Sequence, residues 1–273
     1  MLLENKNAVI YGAGGKVGGA VARAFAREGA KVFLAGRTTE TLEAVAADVA
    51  AAGGAAEAAE VDALDERAVE EHADAVAEEA GGIDVSFNAV WIRGDLQGIP
   101  LVDMAAEDFA RPVTTGTTTH FLTARAAARR MSPRGSGVIL TLSTSAAALS
   151  GRDRKFHRTG GFGVACAAIE ALTKQLAAEL GARGVRVVCL RPDALPETWP
   201  DGSEVGASGA GEGEGATGDD DARGLLAYME GGSLLGQLPT LEEVGNAAVF
   251  LASDRAGAMT GTVANLTCGS VVD

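Results

Sequence analysis

Short apolar runs alternate along this chain with alanine-rich stretches of helical period, and that alternation leaves few folds open. Strands are predicted at Asn7–Tyr11, Lys31–Ala35, Ala55–Val61, Ile83–Asn88, Gly137–Ser143, Val185–Arg191 and Thr262–Leu266. Between them the 3.6-residue period predicts helices over Val17–Glu28, Glu40–Ala52, Glu66–Glu79, Val113–Met131, Gly163–Leu180 and Leu241–Ala252. Strands separated by helices of this length imply right-handed crossovers, hence a parallel sheet covered on both faces. The expected fold class is α/β, a single-domain doubly wound parallel sheet of about seven strands spanning residues 1–273, with neither repeat nor linker.

Composition narrows the function. The 273 residues are 47% hydrophobic but only 4% aromatic, which suits closely packed helices on a sheet. A formal charge of -14 argues against nucleic acid or an anionic membrane as partner and leaves a small-molecule substrate. No apolar run reaches the length of about 18 residues needed to span a bilayer. The first residues lack the apolar core of a signal peptide, so a cytoplasmic location is expected. Cys166, Cys189 and Cys268 are scattered and odd in number, read as reduced thiols, with no metal site predicted. Residues 200–223 carry glycine and acid with almost no bulk, and are expected to form a flexible insertion, either a surface elaboration or a substrate lid.

Between the first strand and helix lies Tyr11-Gly12-Ala13-Gly14-Gly15-Lys16-Val17-Gly18. Glycines at such a junction let the backbone turn tightly and approach a pyrophosphate, which a helix N-terminus then stabilises. The second strand ends in Gly36-Arg37 with no acidic residue to take an adenosine ribose hydroxyl. Arg37, with Lys16 as a second cation, suits a 2′-phosphate, so NADP(H) is expected as cofactor.

With these residues in place the chain resembles the short-chain dehydrogenase/reductase family over essentially its whole length. The glycine turn is similar to that family's G-x-x-x-G-x-G, with Lys16 at the middle glycine; Gly12, Gly15 and Gly18 equally fit G-x-x-G-x-x-G. Val61-Asp62 resembles its adenine-contacting site, Ile83–Ala89 its I-D-x-x-x-N-N-A-G with Asn88 kept, and Leu172–Leu180, Arg191-Pro192 and Met259–Gly261 its C-terminal third. The resemblance implies cofactor contacts from Gly12, Gly14, Gly15, Lys16, Val17, Gly18, Arg37, Asp62, Asn88 and Pro192. It implies a homo-tetramer or homo-dimer paired through the fourth and fifth helices.

The family's catalytic Asn, Ser, Tyr and Lys carry over badly. Gly116 falls at the Asn position, Phe162 at Tyr and Cys166 at Lys; only Ser143, Thr144 and Ser145 keep hydroxyls at the serine region. His157, five residues before Phe162, is the nearest titratable substitute. A structural thiol is the expectation for Cys166, and a nucleophilic one the alternative. Two readings follow: an NADP(H)-dependent oxidoreductase with a reshaped site, acting on a small carbonyl, enone or imine, or a protein that binds the dinucleotide without redox turnover.

Overall fold

A computed structural model describes residues 1–92, 94, 97–148, 158–199 and 219–273. Seven strands, β1 (Asn7–Tyr11), β2 (Lys31–Gly36), β3 (Ala55–Glu60), β4 (Val85–Asn88), β5 (Gly137–Leu142), β6 (Val185–Pro192) and β7 (Thr262–Leu266), form one sheet in the order β3-β2-β1-β4-β5-β6-β7. All six pairings are parallel. The expected doubly wound architecture is therefore what forms.

Among the described residues seven helices flank the sheet: α1 (Lys16–Arg27), α2 (Thr39–Ala51), α3 (Glu66–Ala80), α4 (Ala106–Met131), α5 (Gly160–Leu180), α6 (Asp219–Gly231) and α7 (Leu241–Ala252). On one face Val21 and Phe25 of α1, Leu42 and Val45 of α2 and Val244 and Ala248 of α7 pack on Ile10, Leu34 and Leu140. On the other, Val69 and Ala73 of α3, Leu122 and Met131 of α4 and Leu180 of α5 pack on Val9, Phe33 and Ile139. Consecutive strand residues point to opposite faces, so strands buried on both sides read as continuous apolar runs.

Local chemistry sets the helix ends. The Asp65 carboxylate caps α3 by accepting from the amides of Arg67 and Ala68, and Gly81 closes it at φ 76°. Thr240 and Glu243 form a reciprocal capping box on α7. Helix α4 begins seven residues before the expected Val113 and runs through Pro112, where sequence reasoning ends a helix because proline removes an amide. Arg111, reaching back to Glu107 and Asp108, ties that first segment together. Helix α5 likewise starts at Gly160 rather than Gly163, and β5 stops at Leu142, releasing Ser143 into the loop beyond it. Residues 200–218 lie outside the described residues, and α6 begins at Asp219, inside the segment expected to be irregular.

Candidate active site

The sheet order reverses between β1 and β4, and in open parallel sheets ligands bind beyond the carboxyl ends of strands at such a switch point. Every candidate residue within the described residues except Phe162 and Cys166, which reach in from α5, sits at that edge. Gly12 follows β1, Arg37 follows β2, Asp62 follows β3, Asn88 ends β4, Ser143 to Ser145 follow β5 and Pro192 ends β6.

Gly12 turns at φ 75°, with its amide and that of Ala13 held by the Ala35 carbonyl. A Cβ there would lie 2.6 Å from the Ala89 carbonyl oxygen, and one at Gly18 only 2.3 Å from that of Gly12. Only glycine lets these backbones approach. Gly14 packs against Thr41, and Gly15 is the N-cap of α1 without a side chain to fill the opening. The amides of Lys16, Val17 and Gly18 find no acceptor among the described residues. Free donors at a helix N-terminus, beside a wall that admits no Cβ, fit a dinucleotide pyrophosphate.

The two cations expected to grip a 2′-phosphate differ. Arg37 is exposed and makes no hydrogen bond or ion pair among the described residues. Lys16 instead donates from Nζ to the Glu197 carbonyl at 2.7 Å, bracing the loop after β6, whose Glu197 carboxylate accepts from the Leu241 amide. Asp62 is exposed, with one oxygen accepting from the Leu64 amide. Asn88 is buried, donating to Thr123 and accepting from the Val90 amide, so its side chain fixes the β4 end against α4. Val17 is half-buried against the core.

Beyond β5 the chemistry changes. One face of α5 presents Phe162, Cys166, Glu170 and Thr173 to the end of β5. Thr173 pairs with Thr141 at 2.7 Å, Glu170 accepts from Ser143 at 2.7 Å, and Cys166 meets Thr144 at 3.6 Å. Ser143 is thereby directed into the interior, where Glu170 also takes both Nε and Nη2 of Arg191 at 2.7 Å. Arg191 reaches on to the Asp273 carboxylate. Thr144 and Ser145 are the hydroxyls left at the crevice. Thr144 Oγ1 accepts from the Ala146 amide, and Ser145 donates to Asp193 at 2.7 Å.

The substituted positions are apolar. Phe162 lies with Ile92, Val113, Ala165 and Ile169 in a small cluster of its own. Cys166 is fully buried, and burial pushes its thiol up to about 11 despite the Thr144 contact, which favours the structural thiol over the nucleophilic alternative. At Gly116, a Cβ would stand 3.0 Å from Ile92 Cδ1. The Gly116 carbonyl accepts from Thr119 and from Nδ1 of His120, whose Nε2 accepts the Leu142 amide. Tyr11 offers no substitute proton donor, being buried edge-on to His72 with burial raising its hydroxyl. His157 lies outside the described residues, as does most of the basic stretch around it.

Sequence reasoning passed over Glu170, His120 and Asp193. A carboxylate directly after Arg191-Pro192, at a strand's carboxyl end, was a usable signal for the last. Among the described residues no group of three His, Cys, Asp or Glu side chains could hold a metal ion, and no helix is long and apolar enough to cross a membrane. A cleft of about 480 Å³ at the opposite edge of the sheet is lined by Lys6, Asp84, Arg186 and Asp254. Their charges are engaged in ion pairs and carbonyl contacts, leaving no convergent free donors.

The family model described as enoyl-(acyl carrier protein) reductase matches residues 12–270. The chain is 28% identical to a short-chain type dehydrogenase/reductase from Mycobacterium marinum, with a TM-score of 0.81 over 99% of this chain and 97% of that one. It belongs to the short-chain dehydrogenase/reductase family. Among curated relatives of this oxidoreductase family, D-threitol dehydrogenase of Mycolicibacterium smegmatis is 30% identical over 95% of this chain and 90% of its own length. Tropinone reductase-like 2 of Erythroxylum coca is 32% identical, covering 95% and 88%. An NAD+-bound xylitol dehydrogenase superposes with a TM-score of 0.83 at 25% identity, over 98% of this chain and 100% of that one.

Proposed function

We propose that this short-chain dehydrogenase/reductase is an NADP(H)-dependent oxidoreductase with a non-standard active site, interconverting a small alcohol and its carbonyl compound, or reducing a related enone or imine. The observation that carries the cofactor half is Arg37, exposed beyond β2 where an acid would select NAD(H), with no partner among the described residues to neutralise it. The free amides of Lys16, Val17 and Gly18 would hold the pyrophosphate, and Asp62 the adenine end. Lys16 would reinforce the phosphate only by turning from Glu197. When bound, the nicotinamide supplies or accepts a hydride.

The chain's own residues do the rest. Thr144, half-buried between the Ala146 amide and Cys166, would turn its hydroxyl to a substrate oxygen only by leaving the Cys166 contact. Phe162 supplies an apolar wall and no proton. Losing a positioned general acid costs about 10²–10⁴ in rate. Holding donor against acceptor still contributes roughly 7–11 kcal/mol, enough to leave turnover measurable.

The apolar Phe162 and Cys166 also support a second reading, a dinucleotide-binding protein without redox turnover. Fluorescence titration with NADPH and NADH, followed by absorbance of the reduced cofactor against ketones, enones and imines, separates the two. Preference for NADPH with substrate-dependent oxidation supports the enzyme; tight binding with no oxidation across the panel leaves the silent reading. Pairing through α4 and α5 into a dimer or tetramer is part of the proposal, and light scattering tests it.

A further inference from the structure

Asp193 is a buried carboxylate at a strand's carboxyl end. It follows β6 directly and faces the end of β5. Its Oδ1 accepts from Ser145 Oγ at 2.7 Å and from the Ala194 amide at 2.9 Å, while Oδ2 accepts from Ser270 Oγ. Three donors converge on it and it donates to none, the pattern of an acceptor-only carboxylate.

The consequence lies in Ser145. Its proton is committed to Asp193, so at the half-buried crevice it presents lone pairs. The neighbouring Thr144 is already engaged, accepting from the Ala146 amide and meeting Cys166 Sγ at 3.6 Å. A group facing Ser145 must therefore give it a hydrogen bond. An alcohol does so; a ketone can only accept.

We propose that Ser145 and Asp193 form the proton relay of this site in the direction of alcohol oxidation. In that step the substrate's O–H and carbinol C–H bonds break and its C=O bond forms. The hydride leaves with its electron pair to the oxidised nicotinamide dinucleotide. The hydroxyl proton passes to Ser145 Oγ as the Ser145 proton passes to Asp193 Oδ1, and water later takes it from the carboxyl group. Ser145 is the group that touches substrate; Asp193 acts through it. The other ionisable groups nearby do not compete. Arg191 turns to Glu170 and Asp273. The Cys268 thiol is pushed up by burial and by the charges of Glu243 and Asp193. Glu197 accepts from the Leu241 amide. The proposal rests on the oxidoreductase reading.

The test uses the whole protein, with NADP+ and NAD+ and the alcohols cyclohexanol, 2-propanol, D-threitol and xylitol. Asp193→Asn keeps an oxygen for Ser145, and the Ser270 hydroxyl can rotate to accept from the new amide. It should lower kcat about 100-fold or more while leaving dinucleotide affinity unchanged. Ser145→Ala should lose as much and Ser145→Thr should keep activity within about tenfold. Without turnover, carboxyl-labelled aspartate should give an NMR resonance that is missing in Asp193→Asn and displaced in Ser145→Ala. If the wild type oxidises alcohols and Asp193→Asn stays within threefold, the relay is wrong and the oxidoreductase reading stands. If the wild type binds dinucleotide and oxidises no alcohol, but reduces carbonyl compounds, the relay alone falls; if it turns over neither, both fall. Should Asp193→Asn fail to bind dinucleotide, Ser145→Ala decides, and full activity in it overturns the proposal.

Discussion

The two halves of the sheet carry their polar groups differently. Among the described residues, the strand ends from β1 to β3 leave groups outward: three unpaired amides at the start of α1, an unpaired Arg37 and an exposed Asp62 held only by the Leu64 amide. From β5 to β6 the strand ends turn polar groups inward and pair them, Ser143 with Glu170, Glu170 with Arg191, and Asp193 with Ser145 and Ser270. Free donors at a strand end wait for a ligand. Paired ones hold the protein together, because a buried charge left alone is costly. The difference separates an edge whose donors stand open from one whose polar groups are already paired within the protein.

The strongest way to break that contrast is at Glu170. Glu170→Gln leaves Arg191 buried with half its partnership gone, and should lower stability by about 3–5 kcal/mol in chemical denaturation while dinucleotide affinity holds. An equal loss of affinity would mean that the halves are not separable. Acid acts next. Burial depresses His120, at the seam of α4 and β5, to about 4 from its ordinary 6.5, so the unfolded chain binds the extra proton between those values. Stability is then fully present above about pH 6.5 and falls as pH drops towards 4, by about 3 kcal/mol for this group. His72, also depressed to about 4 by burial, adds in the same direction. Thermal melts across that window should show the slope, and His120→Gln should flatten it.

On the cofactor side, Arg37→Asp should weaken NADPH about 10–100-fold, the scale of lost charge-assisted hydrogen bonds, and leave NADH nearly unchanged in the same titration. Equal weakening of both would deny the 2′-phosphate reading. The smallest expected effect is a gain. Phe162→Tyr with Cys166→Lys should raise ketone reduction about tenfold by restoring a proton donor. It should also lower Tm, because the lysine enters a fully buried position.

The fold was legible because it depends on pattern. Seven apolar runs and their intervening helices give the sheet directly, and Gly12 and Gly18 sit at the turn where their spacing puts them. The ends of α4 and α5 were not, since Pro112 and the glycines at 160 and 161 argue locally against helix and are overruled by packing: a Cβ at Gly161 would strike the Phe109 carbonyl. Within the site, sequence identifies which residue types stand at the strand ends but not which way they face. Ser143, Thr144 and Ser145 are three adjacent hydroxyls in the sequence; in space one points to Glu170, one to Cys166 and one to Asp193. The partners Glu170 and Asp193 lie 27 and 48 residues further along, a separation that no local pattern encodes.

The close approach of Gly116 to Ile92 makes position 92 a control on any side chain added at 116. A Cβ there would stand 3.0 Å from Ile92 Cδ1, so the isoleucine tip has to give by a few tenths of an ångström, and trimming residue 92 widens what the helix can carry into the crevice.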